Sequence, residues 1–325
     1  MSVSATETEA LICAFRLKPW QALGTEALAL EPTTEAPLWL HLNLLDNRAR
    51  RYVEHCPTLH EDGRALLLAN DARIQAQVFD GGFAAILGDL HYDFDTDPES
   101  FGLLWIYVDA RSIVTCRRHR VRSVDKSRRV FEQSGADFTP FDLFVRLALE
   151  IATGFADVAS ELGDVLETAE DRVLAGRWRD QASELGRIRR VLARLRRHKN
   201  ADRATLASLV QRVSSVFDEA VRAELRDVVE RLDATAQDMD LLTERARLLQ
   251  EEIASRLGEA TNRNLYLLSI VTTALLPVTL ITGIFGMNVG GLPLTESPSG
   301  FFWVMLGMTA IVVGTMVLLR RSRVL

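Results

Sequence analysis

The side chains with the most to offer chemically form a short run, Gly286-Met287-Asn288, followed by Val289-Gly290-Gly291-Leu292-Pro293. Gly286 can end a helix without a Cβ penalty, and the glycine pair before Leu292-Pro293 can reverse the chain tightly. A helix ending there leaves unpaired carbonyls, and with them a partial negative charge, at the same place. Several such ends brought together would attract cations. Asn288 would add a ring of neutral amide oxygens that holds the hydration shell of a divalent ion weakly enough to release it. Glu296 is the single acid in the segment that follows. In an oligomer it forms a carboxylate ring that concentrates cations at an entrance; otherwise it is an ordinary solvated loop charge.

This run sits between two uncharged stretches, Leu265 to Phe285 and Phe301 to Leu319. Each is close to the roughly 20 apolar residues that a helix needs to cross a hydrocarbon core. Arg256 and Arg263 precede the first stretch; Arg320, Arg321 and Arg323 follow the second, and Gly286 to Gly300 has neither Lys nor Arg. The positive-inside rule therefore places both termini in the cytoplasm and the short connection outside, in a multi-pass inner-membrane protein. Met1 to Ala10 has no basic n-region and no apolar core, so no cleavable signal peptide is expected there.

Two spans in one chain cannot enclose water, so conduction requires a homo-oligomer with one helix per copy around an axis. Steps of three and four back from the Gly-Met-Asn run select Thr279, Leu276, Thr272, Ser269, Leu265 and Asn262 as a candidate pore face. Hydroxyl rings would then alternate with leucine constrictions that gate by dewetting. The alternative is that these hydroxyls only bond the preceding helical turn or join helices. Pro277 either kinks the first span or is absorbed by its neighbours.

The chain has 325 residues and a net charge of −6, but before Arg263 it is rich in charge, and from Asn264 to Leu319 only Glu296 ionises, the Tyr266 phenol aside. Apolar runs at Leu11 to Phe15, Leu38 to Leu42, Ile74 to Phe79, Ala84 to Leu87, Leu103 to Val108 and Ser112 to Cys116 read as strands. A helical pattern at Asn47 to Cys56 lies between them. Residues 1–135 are thus expected to form an α/β or α+β cytoplasmic domain, followed by a helical region over 136–218. Its amphipathic segments are Phe141 to Ala175, Arg179 to Arg197 and Ala204 to Phe217, separated by polar breaks. From Glu219 to Phe285 there is no proline before Pro277 and, up to that point, a single glycine, Gly258. Leu225, Val228, Val229, Leu232, Ala236, Met239, Leu242, Ala246, Leu249, Ile253 and Leu257 mark one helix face. Unbroken, this helix would be on the order of 100 Å long at 1.5 Å per residue. Residues 219–264 form its cytoplasmic stalk, 265–285 the first span, 286–300 the outer loop, 301–319 the second span and 320–325 a cytoplasmic tail.

Other signals carry less. Cys13, Cys56 and Cys116 are odd in number and scattered, which suits a reducing compartment rather than a disulfide framework. His55, Cys56 and His60 are soft ligand types, but no second pair completes a site. Asp93, Asp95 and Asp97 alternate like the start of a calcium loop, yet Pro98 stands where glycine is required. The basic cluster from Arg187 to Lys199 is expected to pair with stalk acids such as Asp227, Glu230, Asp238 and Asp240. The acidic balance gives no support to nucleic-acid binding. Without a phosphate-cradling Gly-Lys-Ser/Thr or a hydrolytic triad, neither ATP use nor enzymatic activity is expected, and no cofactor is called for.

Taken in position, Gly286-Met287-Asn288 closing the first of two C-terminal spans resembles the CorA superfamily of divalent-cation transporters. Gly283-Ile284-Phe285-Gly286-Met287-Asn288-Val289-Gly290-Gly291-Leu292-Pro293 looks most like its ZntB-type zinc-transporter branch. Magnesium-type members usually carry Tyr where this chain has Phe285. The resemblance implies a funnel-shaped homopentamer, a pore lined by the first span, and Gly286, Met287 and Asn288 as the outer selectivity element, Asn288 touching a hydrated ion. Zinc is the expected cargo; a magnesium, cobalt or nickel channel and a membrane-anchored sensor are the alternatives. Neither span holds Asp, Glu, His or Lys, so either the ion moves passively or coupling runs through groups outside the hydrocarbon core, such as Glu296.

Overall fold

A computed structural model describes residues 10–70, 73–91, 101–134, 136–178, 181–213, 217–287, 290–293 and 298–321. Asp93, Asp95 and Asp97, like Asn288 and Glu296, lie outside the described residues. The chain divides into two compact units, Met1–Gln250 and Glu251–Leu325.

The first unit is built on a seven-stranded mixed sheet in the order β2-β1-β3-β7-β6-β5-β4. Its strands are β1 (Leu11–Leu17), β2 (Trp20–Leu23), β3 (Leu38–Asn43), β4 (Gln75–Phe79), β5 (Gly82–Leu90), β6 (Phe101–Asp109) and β7 (Ser112–Arg117). Neighbours are antiparallel except β3 and β7, which run parallel. All six strands read from the apolar runs are present; β2, short and half exposed, carries no such signal. A two-residue turn, Asp80-Gly81, joins β4 to β5, and there Gly81 takes φ 78°, a value open to glycine at little cost. Between β6 and β7 the Asp109 carboxylate accepts from the backbone N–H groups of Arg111 at 2.8 Å and Ser112 at 2.7 Å.

Side chains of β3, β5 and β7 are buried on both faces, as a sheet covered by helices on each side demands. Alternation sorts them. Leu40, Leu42, Ala84, Ile86, Trp105, Tyr107, Val114 and Cys116 form one core with α1 (Asn47–His55) and α2 (Glu61–Leu68). Trp39, Phe83 and Thr115 occupy the intervening positions; the Phe83 ring meets Phe144 edge-on at 4.7 Å. Phe144 belongs to α4 (Pro140–Leu174), which opens with a capping box between Thr139 and Asp142 and follows α3 (Arg122–Ser134).

Two helical segments read from the sequence between Arg179 and Phe217 are in fact one helix, α5 (Gln181–Arg212). The polar stretch Lys199 to Arg203 does not break it, because tertiary partners override propensity there. Lys199 and Asp202 are buried, and Asp202 Oδ1 accepts from the Gly88 N–H of β5 at 2.7 Å. The long helix α6 (Glu219–Phe285) is continuous, and Pro277 lies inside it. Its stripe Leu225, Val228, Leu232, Met239, Leu242 and Ala246 is buried in the first unit. Bidentate pairs set its register there: Arg203 of α5 with Asp233, at 2.9 Å, and Arg245 with Glu170 of α4, at 2.7 Å. Both pairs are part-exposed and worth about 1 kcal/mol or less, so they orient more than they stabilise. Of the stalk acids expected to meet the basic cluster, Asp240 pairs with Arg196 at 2.9 Å.

Asp89 and Asp202 are the two most deeply buried carboxylates among the described residues. Asp89 accepts from Ser123 Oγ at 2.5 Å and from the Leu90 N–H at 2.7 Å, yet burial pushes its carboxyl up to about 6. Burial also raises Asp202 well above the usual carboxylate range, with its Oδ2 making no hydrogen bond among the described residues. Because both shifts are upward, the folded chain holds these protons more tightly than the unfolded one. Their contribution to stability is complete below an unfolded pKa of about 3.9 and is lost as pH rises through the raised values. Asp202→Asn imitates the protonated group. It is expected to melt close to the parent near pH 4 and above it at neutral pH, because it flattens the fall in melting temperature between about pH 4 and 7. Asp202→Ala strands the Gly88 N–H and is expected to cost about 1–3 kcal/mol. Thermal unfolding of the full chain in detergent checks this; equal losses in the two variants would contradict a protonated Asp202.

Candidate permeation path and entrance

The second unit holds the C-terminal part of α6 and α7 (Gly300–Arg321). Both are long and apolar enough to cross a membrane. Leu265, Leu268, Leu275, Leu276 and Leu280 on α6, and Phe301, Phe302, Trp303 and Val317 on α7, are all exposed in the single chain. So many large apolar side chains on one isolated surface need hydrocarbon or other copies to cover them.

Partial cover runs along one stripe of each span. On α6 it touches Tyr266, Ile270, Ala274, Pro277, Val278, Ile281 and Phe285; on α7, Val304, Met308, Val312 and Thr315. The residues read from the sequence as a pore face, Asn262, Leu265, Ser269, Thr272, Leu276 and Thr279, are all exposed. At 3.6 residues per turn they fall on nearly the opposite side of α6 from the covered stripe. The chain itself therefore leaves that face uncovered.

The threonine hydroxyls of the α6 span are locally bonded. Thr272 Oγ1 donates to the Leu268 carbonyl at 2.8 Å and Thr279 Oγ1 to the Leu275 carbonyl at 2.9 Å. The same back-bond recurs at Thr261, Thr273 and Thr282. Back-bonding and lining a path do not exclude one another, because a hydroxyl that has donated its proton still has lone pairs to offer. Pro277 adds another acceptor. Its ring nitrogen has no proton for the Thr273 carbonyl one turn back, which is thus without its helical partner.

Gly286 terminates the helix: its N–H still donates to the Thr282 carbonyl at 2.9 Å, and Met287 N–H reaches back to Ile284 at 3.3 Å. A Cβ on Gly286 would stand 3.1 Å from the Thr282 oxygen, tighter than ordinary contact. Met287 is exposed, and Gly291 turns the chain with φ 93°. Asn288 and Glu296 were named from sequence as entrance residues and lie outside the described residues.

The soft-ligand candidates do not converge. His55 Nδ1 bonds the Arg51 carbonyl at 2.9 Å, Cys56 Sγ meets Thr58 Oγ1 at 3.2 Å, and the His60 ring stacks on Phe79 at 4.5 Å. Among the described residues no group of three or more His, Cys, Asp or Glu could hold a metal.

Residues 34–321 match the family described as CorA-like Mg2+ transporter protein. A zinc transport protein ZntB from Yersinia enterocolitica is 27% identical over 295 residues, 90% of this chain and 89% of that protein. The divalent cation transporter CmaX of Pseudomonas aeruginosa is 28% identical over 277 residues, 84% of this chain and 83% of its own length. The solved structure of full-length CmaX superposes with a TM-score of 0.82 at 26% identity, covering 98% of this chain and 100% of that one.

A path for ions along the uncovered face of α6 would make Thr279 the sensitive hydroxyl. Thr279→Val keeps the shape and removes the acceptor. It is expected to lower cation flux into liposomes about tenfold, the equivalent of one lost hydrogen bond of ~1.4 kcal/mol. Thr309 on α7 makes the same back-bond, to Met305 at 2.9 Å, and Thr309→Val is expected to leave flux unchanged. Equal effects at the two positions would remove Thr279 from the path.

Proposed function

The chain belongs to the CorA-like Mg2+ transporter family, and from that premise we propose that it moves divalent cations, zinc foremost, across the inner membrane. The observation that carries the proposal is the uncovered face of α6, whose acceptor oxygens run toward a helix end at Gly286. Copies of the chain, five in this reading, set these faces around an axis, so that each span offers its hydroxyls inward and its leucines as constrictions. Lipid covers the remaining apolar surface. The arginines flanking the two spans keep both termini in the cytoplasm.

At the mouth, converging α6 C-termini supply partial negative charge, and Asn288 supplies amide oxygens to an ion that keeps its water. Glu296, the acid of the outer loop, raises the local concentration of cations. No side chain in either span is positioned as a carboxylate relay, since neither contains Asp, Glu or His. Movement is therefore passive or coupled through groups outside the hydrocarbon core. The choice of zinc rests on likeness to a protein named for zinc transport over nine-tenths of the chain. The family description names Mg2+, which favours magnesium as the second reading.

Liposome uptake of zinc and of magnesium, with the parent and with Asn288→Ala, tests both. Zinc flux that falls at least tenfold in the variant is the expected result. Magnesium flux with zinc excluded would keep the path and overturn the ion. No flux of either through an intact oligomer would leave the spans as an anchor and favour a sensing role. Glu296→Gln is expected to reduce flux at low salt and much less at high salt, as screening predicts for a charge that steers.

A further inference from the structure

The basic cluster of α5 is only partly matched by its own chain. Arg189 Nη1 donates to Gln250 Oε1 of α6 at 2.6 Å, and Arg196 meets Asp240 at 2.9 Å. Arg187, Arg190 and Arg197 are exposed and make no ion pair among the described residues. Steps of three and seven put these three on one face of α5. From Arg187 to Arg197 there is no acid, so the helix itself offers them no carboxylate.

The opposite charge runs along α4 with the same spacing. Glu161, Asp164 and Asp171 are exposed, make no ion pair among the described residues, and have no Lys or Arg between them in the sequence. Each lane is about 15 Å long at 1.5 Å per residue. Both stand at one level of the long helix. α5 descends along α6, with Arg189 at Gln250, Arg196 at Asp240 and Arg203 at Asp233. α4 ascends, with Gly163 against Leu242 and Glu170 on Arg245. At 3.6 residues per turn the lanes occupy other faces than these contacts. Copies related by rotation about an axis meet through two different patches, and rotation leaves each residue at its own height. An acidic and a basic lane of equal length at one level are what such a contact needs.

We propose that the basic lane of α5 docks on the acidic lane of α4 in the neighbouring copy. This rests on the oligomer of the proposed function and adds which surfaces meet within it. Because α4 and α5 run in opposite senses, Glu161 comes level with Arg197 and Asp171 with Arg187. Exposed ion pairs are weak singly, so the lanes choose and align the neighbour rather than hold the ring together.

Cross-linking between copies tests the contact. Two differently tagged full-length chains, one with Glu161→Cys and one with Arg197→Cys, are co-expressed and treated in native membranes with a short bifunctional maleimide. Co-expressed parental chains give the background from Cys13, Cys56 and Cys116, which are buried or half-buried. A dimer carrying both tags is expected, and at least tenfold less of it when Arg187→Cys replaces Arg197→Cys. Arg187→Glu and Arg190→Glu beside Arg197→Cys are expected to lower the yield at least tenfold. Asp164→Arg and Asp171→Arg in the other chain then restore it, which a misfolded variant could not do. Absence of the mixed dimer from an oligomer that runs intact on a native gel overturns the proposal and leaves the functional reading standing. Loss of the oligomer itself would take that reading down as well. An absent dimer, with arginine variants that retain less phosphatidylglycerol on purification, would assign the lane to anionic lipid and equally overturn the proposal.

Discussion

Hydrocarbon offers a peptide group nothing to bond with, and most of this molecule follows from that. A segment crossing it must satisfy its own N–H and C=O groups, which leaves the helix as the solution for a chain with two spans. Two helices cannot surround water. In the proposed assembly their polar side chains face an axis shared with other copies, and the apolar ones face lipid or neighbours. The separation seen on α6, with its partly covered stripe on one side and Asn262, Ser269, Thr272 and Thr279 on the other, is the arrangement that this constraint selects.

How much of this was readable depended on whether the signal was local. Spans, flanking arginines and the α6 stripe are written in consecutive residues, and six strands announced themselves as apolar runs. The order of those strands is not written that way. It depends on which runs meet across long separations, such as β3 against β7, and a single sequence holds no record of that pairing. The continuity of α5 was hidden for a related reason. Lys199 to Arg203 looks like a break until the Asp202 bond to Gly88, 114 residues away, is in view. At the site, the face bearing Thr279 could be stepped out from Gly286, whereas the bare Thr273 carbonyl follows from Pro277 remaining within the helix.

The first unit shows what it costs to keep a sheet dry on both faces. Every polar group caught between the layers needs a partner there, and the partners come from far along the chain. Thr115 accepts from Trp39 Nε1 at 2.9 Å and bonds His41 at 2.8 Å, and burial holds the His41 imidazole neutral, down at about 3. Asp89 ties β5 to α3 through Ser123, and Asp202 ties α5 to β5. These bonds specify which helix lies on which strand more sharply than apolar contact alone, which tolerates sliding.

The back-bonded threonines of α6 have one more implication. Each hydroxyl proton is committed to a carbonyl one turn back, so what these groups turn outward is electron density alone. A lumen lined in that way would discriminate by the sign of charge while carrying no charge of its own. An anion arriving there would find lone pairs opposed to it at every ring. A cation would find the same rings agreeable, yet none deep enough to detain it.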